Sequence, residues 1–259
     1  MNILVKTVGG GVFSKLMIAI QSILYSEFSG KINDVNDINN IYIDIDRNRI
    51  CRIRNKNINI NPFNFALEQN EDLVFDRTIL SHPPKHYGGK VYTDVLNHKD
   101  LNKLRIICSK IKIKKDILSL VNNNIGISTL GVHVRLTDMN RIHPEYGVSS
   151  TKNYIDKIND VIVGGNNNIF VASDNINSLK ILKDNFNIIS NETTNRNSDE
   201  KSGNYMQYLR NRCSDKQLWI DSFLEMISLS KCGELIYKVS NLNNASVIFS
   251  NTIKKTYKL

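Results

Sequence analysis

Cysteine is scarce in this sequence, long apolar runs are missing, and so are arginine-rich tails; each absence narrows what the chain does. Its four cysteines, Cys51, Cys108, Cys213 and Cys232, are widely spaced with no C-x-x-C pair. That excludes the spacing of a zinc site or a disulfide framework and fits a reduced, intracellular compartment. No apolar stretch reaches the ~18 residues expected of a transmembrane helix. The N-terminus, Met1-Asn2-Ile3-Leu4-Val5-Lys6, leads into a glycine-rich turn and not into the apolar core of a signal peptide. A soluble, cytoplasmic protein with no membrane span is expected. No arginine-rich tail or aromatic-interleaved basic patch occurs, so nucleic acid is not expected as a partner. His82-Pro83-Pro84-Lys85-His86 has metal-like spacing. Its two prolines forbid the helix that would align the imidazoles, and no third ligand lies near, so a loop is expected and no metal.

What is present supports a sizeable fold. The 259 residues, 41% of them hydrophobic, allow one large domain or two small ones. A net charge of +9 favours an anionic partner, such as nucleic acid, an anionic membrane surface or a phosphorylated small molecule. Much of that charge is compositional. Lysine, asparagine and isoleucine are all abundant, with runs at Asn122–Asn124 and Asn166–Asn168, as an AT-rich genome would impose.

The most informative stretch is Leu130-Gly131-Val132-His133-Val134-Arg135-Leu136-Thr137-Asp138. Its β-branched character predicts a strand. Positions two apart then share a face, so His133 and Arg135 point one way while Val132 and Val134 pack behind them. A guanidinium fork matches phosphate oxygens, and a neighbouring imidazole can donate to phosphate, ribose or base. Asp138 can orient the arginine or accept from the ligand. An ordinary surface ion pair is the competing reading.

The flanking segments predict alternating strands and helices. Ile3–Val5 reads as a buried strand, followed by Gly9-Gly10-Gly11 and an amphipathic helix over 13–28, with Phe13, Leu16, Met17, Ile20, Ile23 and Leu24 on one face. This is a Rossmann-like opening without G-x-G-x-x-G, so a dinucleotide site is not expected, although its glycines let an anion or sugar approach. Ile41–Asp46 alternates as a second strand, with Asp44 and Asp46 on one face at its carboxyl end. They are candidates for a base toward an acceptor hydroxyl, for metal carboxylates, or for a plain strand end. Glu68, in a segment that starts as a turn and helix at Asn61, is another candidate base.

Further along, 100–122 predicts one long helix or two short ones, and the Asn122–Asn124 break marks a boundary between an N-terminal domain over 1–125 and a C-terminal one over 126–259. Ser149, Ser150 and Thr151 can cap a helix over 151–163, ended by Gly164 and Gly165. Ile169–Ser173 reads as a strand with Asp174 at its carboxyl end, placed for a ligand or for capping a helix that starts near Asn177. The stretch 193–204 is polar and predicts an exposed loop. A helix over 221–232, a short strand over 235–237 and a final helix opening at 239–245 complete the pattern. Ser240 and Asn241 stand at that last helix's start, where a hydroxyl and N–H groups form an anion site.

Together these segments resemble the GDP-fucose-dependent superfamily of α1,2-, α1,6- and protein O-fucosyltransferases. The H-x-R-x-x-D of His133, Arg135 and Asp138 resembles their first motif. Gly10 and Gly11 resemble the "GGLGNQ" opening, with Asn and Gln replaced. Phe170 to Asp174 resembles their "FVFSDD" element, and 221–245, including Cys232 and Ala245, their third motif. Departures occur there: Gly233 stands where Asp is usual, Tyr237-Lys238 replaces Gly-Ser, and Asn241, Leu242 and Asn243 replace Ser, Phe and Ser.

The resemblance implies an α/β fold of two facing Rossmann-like domains, the glycosyltransferase B fold, with the acceptor on the N-terminal side. It implies inverting, metal-independent fucose transfer from GDP-fucose as donor substrate, with no cofactor, to a glycan or other hydroxyl acceptor. Arg135 and Asp138 would be catalytic; His133, Arg135, Asp174, Ser240, Asn241, Gly10 and Gly11 would hold the GDP-sugar. The base stays open among Asp44, Asp46, Glu68 and Asp138. The altered third motif keeps a catalytically inactive nucleotide-sugar or glycan-binding protein as the alternative, along with a transferase for a different nucleotide sugar. Charge alone would suggest a nucleic-acid-binding protein.

Overall fold

A computed structural model of the chain describes residues 1–7, 12–45, 61–69, 73–80, 95–136, 149–162, 168–191 and 215–259. The glycine turn at 9–11, Asp46, the His82–His86 segment, Asp138, Gly164–Gly165 and the polar stretch 193–204 lie outside these residues, as do Cys51 and Cys213. The chain divides into two compact units, Met1–Leu118 and Ser119–Leu259.

The first unit is built on β1 (Asn2–Thr7), whose Ile3, Val5 and Thr7 are wholly buried at every second position. Helix α1 (Val12–Phe28) packs on it, burying the whole apolar set Phe13, Leu16, Met17, Ile20, Ile23 and Leu24. Strands β2 (Asn40–Ile45) and β3 (Arg77–Leu80) flank β1 in parallel, in the order β2-β1-β3. Helix α2 (Leu101–Ser109) lies against α1 and is separate from the short α3 (Lys115–Ser119), so the region expected as one or two helices forms two.

The second unit carries a parallel sheet of β4 (Leu130–Val134), β5 (Ile169–Ser173), β6 (Ile188–Ile189), β7 (Glu234–Tyr237) and β8 (Lys255–Lys258), in the order β6-β5-β4-β7-β8. Its chain runs outward from β4 through α4 (Thr151–Val161) and α5 (Ile176–Asn185) to β6. It then returns beside β4 through α6 (Asp215–Ser230) and continues past β7 through α7 (Asn241–Phe249) to β8. The connection order therefore reverses between β4 and β7. In an open parallel sheet, such a reversal leaves a crevice at the strands' carboxyl ends, because the neighbouring loops turn to opposite sides.

The two sheet faces are chemically distinct. Leu130, Val132, Val134, Ile169, Val171 and Ile236 pack with Tyr154 and Ile158 of α4 and with Leu179 and Leu182 of α5. Gly131 faces the other layer: a Cβ there would meet Cys232 Sγ and Leu229 Cδ2, each at 3.1 Å. Helix α6 starts at Asp215, six residues before the expected Asp221; among 216–220 only Leu218 is buried, so this first part shows no apolar period. β3, β6 and β8 were not expected from the pattern. β6 has two residues, β3 buries only Ile79, and β8 is the partly exposed edge sequence Lys-Thr-Tyr-Lys, so none shows clear alternation.

Candidate active site

Residues from β4, β5 and the β7–α7 connection converge at the carboxyl end of the second sheet. His133 pairs in register with Ala172 of β5 and Tyr237 of β7, at the crevice where the strand order reverses. It lies on the face opposite Val132 and Val134, as the alternation requires, and is 2% exposed. Burial, then the Arg135 charge, push its pKa down to about 3, while the Asn243 side chain opposes them. The imidazole is therefore neutral at physiological pH. It can donate through one nitrogen and accept through the other, but it adds no positive charge.

The positive charge comes from Arg135, just past the strand. Its Nε lies 3.7 Å from Asp174 Oδ2, the guanidinium being partly exposed and the carboxylate nearly buried. Asp174 Oδ1 accepts the Leu136 N–H at 3.2 Å. One carboxylate thus fixes the backbone after β4 and faces the guanidinium. Asp174 does not cap the next helix. Asn175 does, its side chain accepting the Ser178 N–H at 2.8 Å, and the helix begins at Ile176. The physical reason is the backbone turn after β5, which aims Asn175 along the helix axis and leaves Asp174 facing β4 through its N–H bond to Val134.

Tyr154 holds the same arginine from behind. This fully buried ring on α4 accepts the Arg135 N–H at 3.2 Å through its hydroxyl, and burial raises its pKa. The spacing of Tyr154 and Ile158 marks them only as core positions, so the hydroxyl's role is not legible from the sequence. Ser150 secures α4 with a reciprocal capping box with Asn153.

The third wall is the start of α7. Ser240 Oγ accepts the Asn243 N–H at 3.2 Å, so its lone pair serves as the N-cap, while its own O–H proton is left to donate. The Asn243 amide donates to the Lys238 carbonyl at 2.6 Å, which ties the helix start to the end of β7 beside His133. The N–H groups of Asn241 and Leu242 occupy the first helical turn, where no intrahelical acceptor exists. Lys238, 1% exposed, is held below the ordinary lysine pKa by burial.

These five sites, His133, Arg135, Asp174, Ser240 and Asn241, belong to one end of one sheet. The structure brings them together in the second unit. Asp138, Gly10 and Gly11 lie outside the described residues, and so does Asp46. Asp44 is on β2 and Glu68 follows a 3-10 turn at Pro62–Phe65, both in the first unit. Among the described residues there is no group of three His, Cys, Asp or Glu arranged to hold a metal ion.

No family model and no curated protein matches the chain. Solved structures do. The NodZ alpha-1,6-fucosyltransferase soaked with GDP-fucose superposes with a TM-score of 0.54 at 13% identity, covering 96% of this chain and 92% of that one. Fucosyltransferase NodZ from Bradyrhizobium gives 0.53 at 11% identity over 96% and 93%. POFUT1 in complex with GDP gives 0.52 at 8% identity over 99% and 97%. The chain shares the fold of these fucosyltransferases.

Within this fucosyltransferase fold, Gly233 acquires a structural explanation. Asp is usual at this position in the motif that the sequence resembles, yet a Cβ here would lie 1.9 Å from the Ile127 carbonyl oxygen. The Gly233 N–H donates to Thr129 at 3.1 Å and its carbonyl accepts from Lys254 at 2.8 Å. Backbone crowding excludes a side chain, so this departure reports local packing between α6 and β7. Cys232, next to it, is buried with its thiol pushed up to about 12, as befits a packing residue.

Proposed function

We propose that the chain is an inverting, metal-independent glycosyltransferase that moves fucose from GDP-fucose to a hydroxyl of a glycan or similar acceptor. One observation carries this reading: a guanidinium faced by Asp174, a buried neutral imidazole and a capped helix start meet at the crevice of a sheet with the fucosyltransferase fold.

In the transfer, the bond between the sugar's C1 and the β-phosphate oxygen breaks as the acceptor oxygen bonds to C1 from the opposite face. GDP leaves with the electron pair, and the acceptor's proton passes to a carboxylate base. Negative charge grows on the β-phosphate as C1 takes on oxocarbenium character. Arg135, the Ser240 hydroxyl and the first-turn N–H groups of α7 would stabilise it, supplying the electrostatic role that a metal has in other transferases. Preorganisation matters here because Asp174 and Tyr154 hold Arg135 before the substrate arrives, so little reorganisation is needed during the reaction. His133, being neutral, would hold ribose or guanine by hydrogen bonds, and Asp174 would assist. The second unit is thus the donor side and the first the acceptor side.

The test is calorimetric titration of GDP, UDP and GDP-fucose into wild type and Arg135→Ala, with chelator present. Selective GDP binding that the substitution abolishes is expected. Failure of every nucleotide to bind would make the His133–Arg135 strand purely structural and end the proposal. Buried Lys238 in the altered motif favours a second reading, nucleotide-sugar binding without transfer. GDP-fucose binding without release of GDP in the presence of an acceptor panel would select it.

A further inference from the structure

We propose that the first unit carries a binding subsite for an oxyanion group, a carboxylate, sulfate or phosphate borne by the acceptor saccharide. This deepens the transferase reading and rests on it for the saccharide. The oxyanion chemistry rests on the cavity itself.

A cavity of about 410 Å³ lies along the edge strand β2, walled by the residues after the 3-10 turn and by the segment 110–114. That volume falls within the range of small-ligand pockets, roughly 300–1,000 Å³. Past the end of α2 at Lys110, the segment 112–114 is held extended. Glu68 N–H donates to the Lys112 carbonyl at 2.8 Å, Lys114 N–H donates to Ala66 at 2.9 Å, and Leu67 and Ile113 form an antiparallel bridge. An extended chain alternates its side chains, so Lys112 and Lys114 share one face, and both line the cavity with Lys110, which closes α2 in helical conformation, while Ile111 is buried.

Among the described residues of the wall, three ammonium groups therefore meet one carboxylate, Glu68. Among the described residues none of the three has an ion pair or side-chain hydrogen bond, whereas Lys103 of the neighbouring helix is paired with Glu27. Unpaired like charges around a concavity repel one another in the empty state and concentrate an anion's attraction.

A second, independent observation points the same way. The Gln69 side chain accepts the Ile43 N–H at 2.9 Å through Oε1, yet its Nε2 is buried with no hydrogen-bond partner. Such a donor costs stability unless something accepts from it. The Ile43 carbonyl accepts from Asn61 Nδ2 at 2.7 Å, so both backbone groups of Ile43 point off the sheet edge. Two residues earlier, the backbone of Ile41 points off the same edge, onto the cavity wall. The wall thus combines cations, an amide donor and a backbone N–H, a donor set matched to oxyanions, with Tyr42 and Leu73 as apolar surface for a sugar's C–H face.

The cavity flanks the amino-terminal half of β2, away from the carboxyl ends where parallel sheets place reacting groups. It suits an anchor for the acceptor's charged group and not the site of transfer.

The test titrates three probes, a heparin-derived disaccharide, lactose and inorganic phosphate, into the full chain and into Lys110→Gln/Lys112→Gln/Lys114→Gln, with GDP titrated in parallel. Expected is salt-sensitive binding of the acidic disaccharide, weakened about tenfold or more in the triple variant. Lactose is expected to bind far more weakly, and GDP affinity to be unchanged by the substitutions. Acidic-disaccharide binding that survives the triple substitution overturns the subsite, as does its absence in wild type. Phosphate binding as tightly as the disaccharide overturns the saccharide assignment. Should GDP fail to bind while the disaccharide binds and is lost in the variant, the subsite stands and the transferase reading falls.

Discussion

Arg135 and Asp174 face each other across the carboxyl ends of β4 and β5, Nε to Oδ2 at 3.7 Å, while the other oxygen of Asp174 takes the Leu136 N–H at 3.2 Å. The pairing joins electrostatics to architecture, because the same carboxylate orients the guanidinium and secures the chain just beyond the strand that carries it. Leu136 is 3% exposed, so its N–H has no access to bulk water as a replacement partner.

Two substitutions at Asp174 should therefore separate the two roles. Asp174→Asn keeps an acceptor for Leu136 but removes the charge, so stability should stay near wild type while GDP affinity falls about tenfold. Asp174→Ala strands the Leu136 N–H as well and should cost about 1–3 kcal/mol in urea unfolding. Equal GDP affinity in wild type and Asp174→Asn would show that the carboxylate does not act through Arg135.

His133 makes stability depend on acid. Its folded pKa is about 3 against an ordinary 6.5, so between those values the unfolded chain binds a proton that the folded chain refuses. Stability contributed by the neutral imidazole is full above pH 6.5 and is lost as the pH falls toward 3, by up to about 1.4 kcal/mol per unit. Denaturant midpoints measured from pH 7 to pH 4 should fall more steeply for wild type than for His133→Gln. Parallel slopes would mean that the imidazole takes up its proton in the folded protein as readily as in the unfolded chain.

Gly233 and Gly126 make a matched pair for the packing argument. A Cβ at Gly233 would collide with the Ile127 carbonyl at 1.9 Å, whereas one at Gly126 meets nothing within 4 Å. Gly233→Ala should destabilise by about 1–3 kcal/mol, because backbone must shift to admit the methyl. Gly126→Ala should be neutral or slightly stabilising, since it restricts only the unfolded chain. Similar midpoints for both variants would refute the crowding.

Much of the second unit was legible because its signals are local. The period of two in Leu130–Val134 placed His133 and Arg135 on one face. The apolar period of α1 named six residues that are all buried. Ser149, Ser150 and Thr151 marked the start of one helix, which Ser150 caps, and Ser240 and Asn241 the start of another, which Ser240 caps, though the choice of Asn175 over Asp174 depended on which side chain the turn aims at the helix axis.

Other features had no local signal. Tyr154 reads as core, and only the docking of α4 beneath β4 brings its hydroxyl to the Arg135 N–H. The lysines at 110, 112 and 114 fall in a stretch that predicts helix, and only the bridge between Leu67 and Ile113 extends it after Lys110 and sets the three along β2. The neutrality of His133 is invisible in a sequence, since it arises from burial beneath a second helical layer and from a charge two residues away. Sequence alone determined the α/β alternation and which polar residues end the strands, because propensity, periodicity and capping act within a few neighbouring residues. Tertiary structure alone decided which of those strand ends share a crevice and in what charge state, because desolvation and long-range pairing depend on residues far apart in the chain.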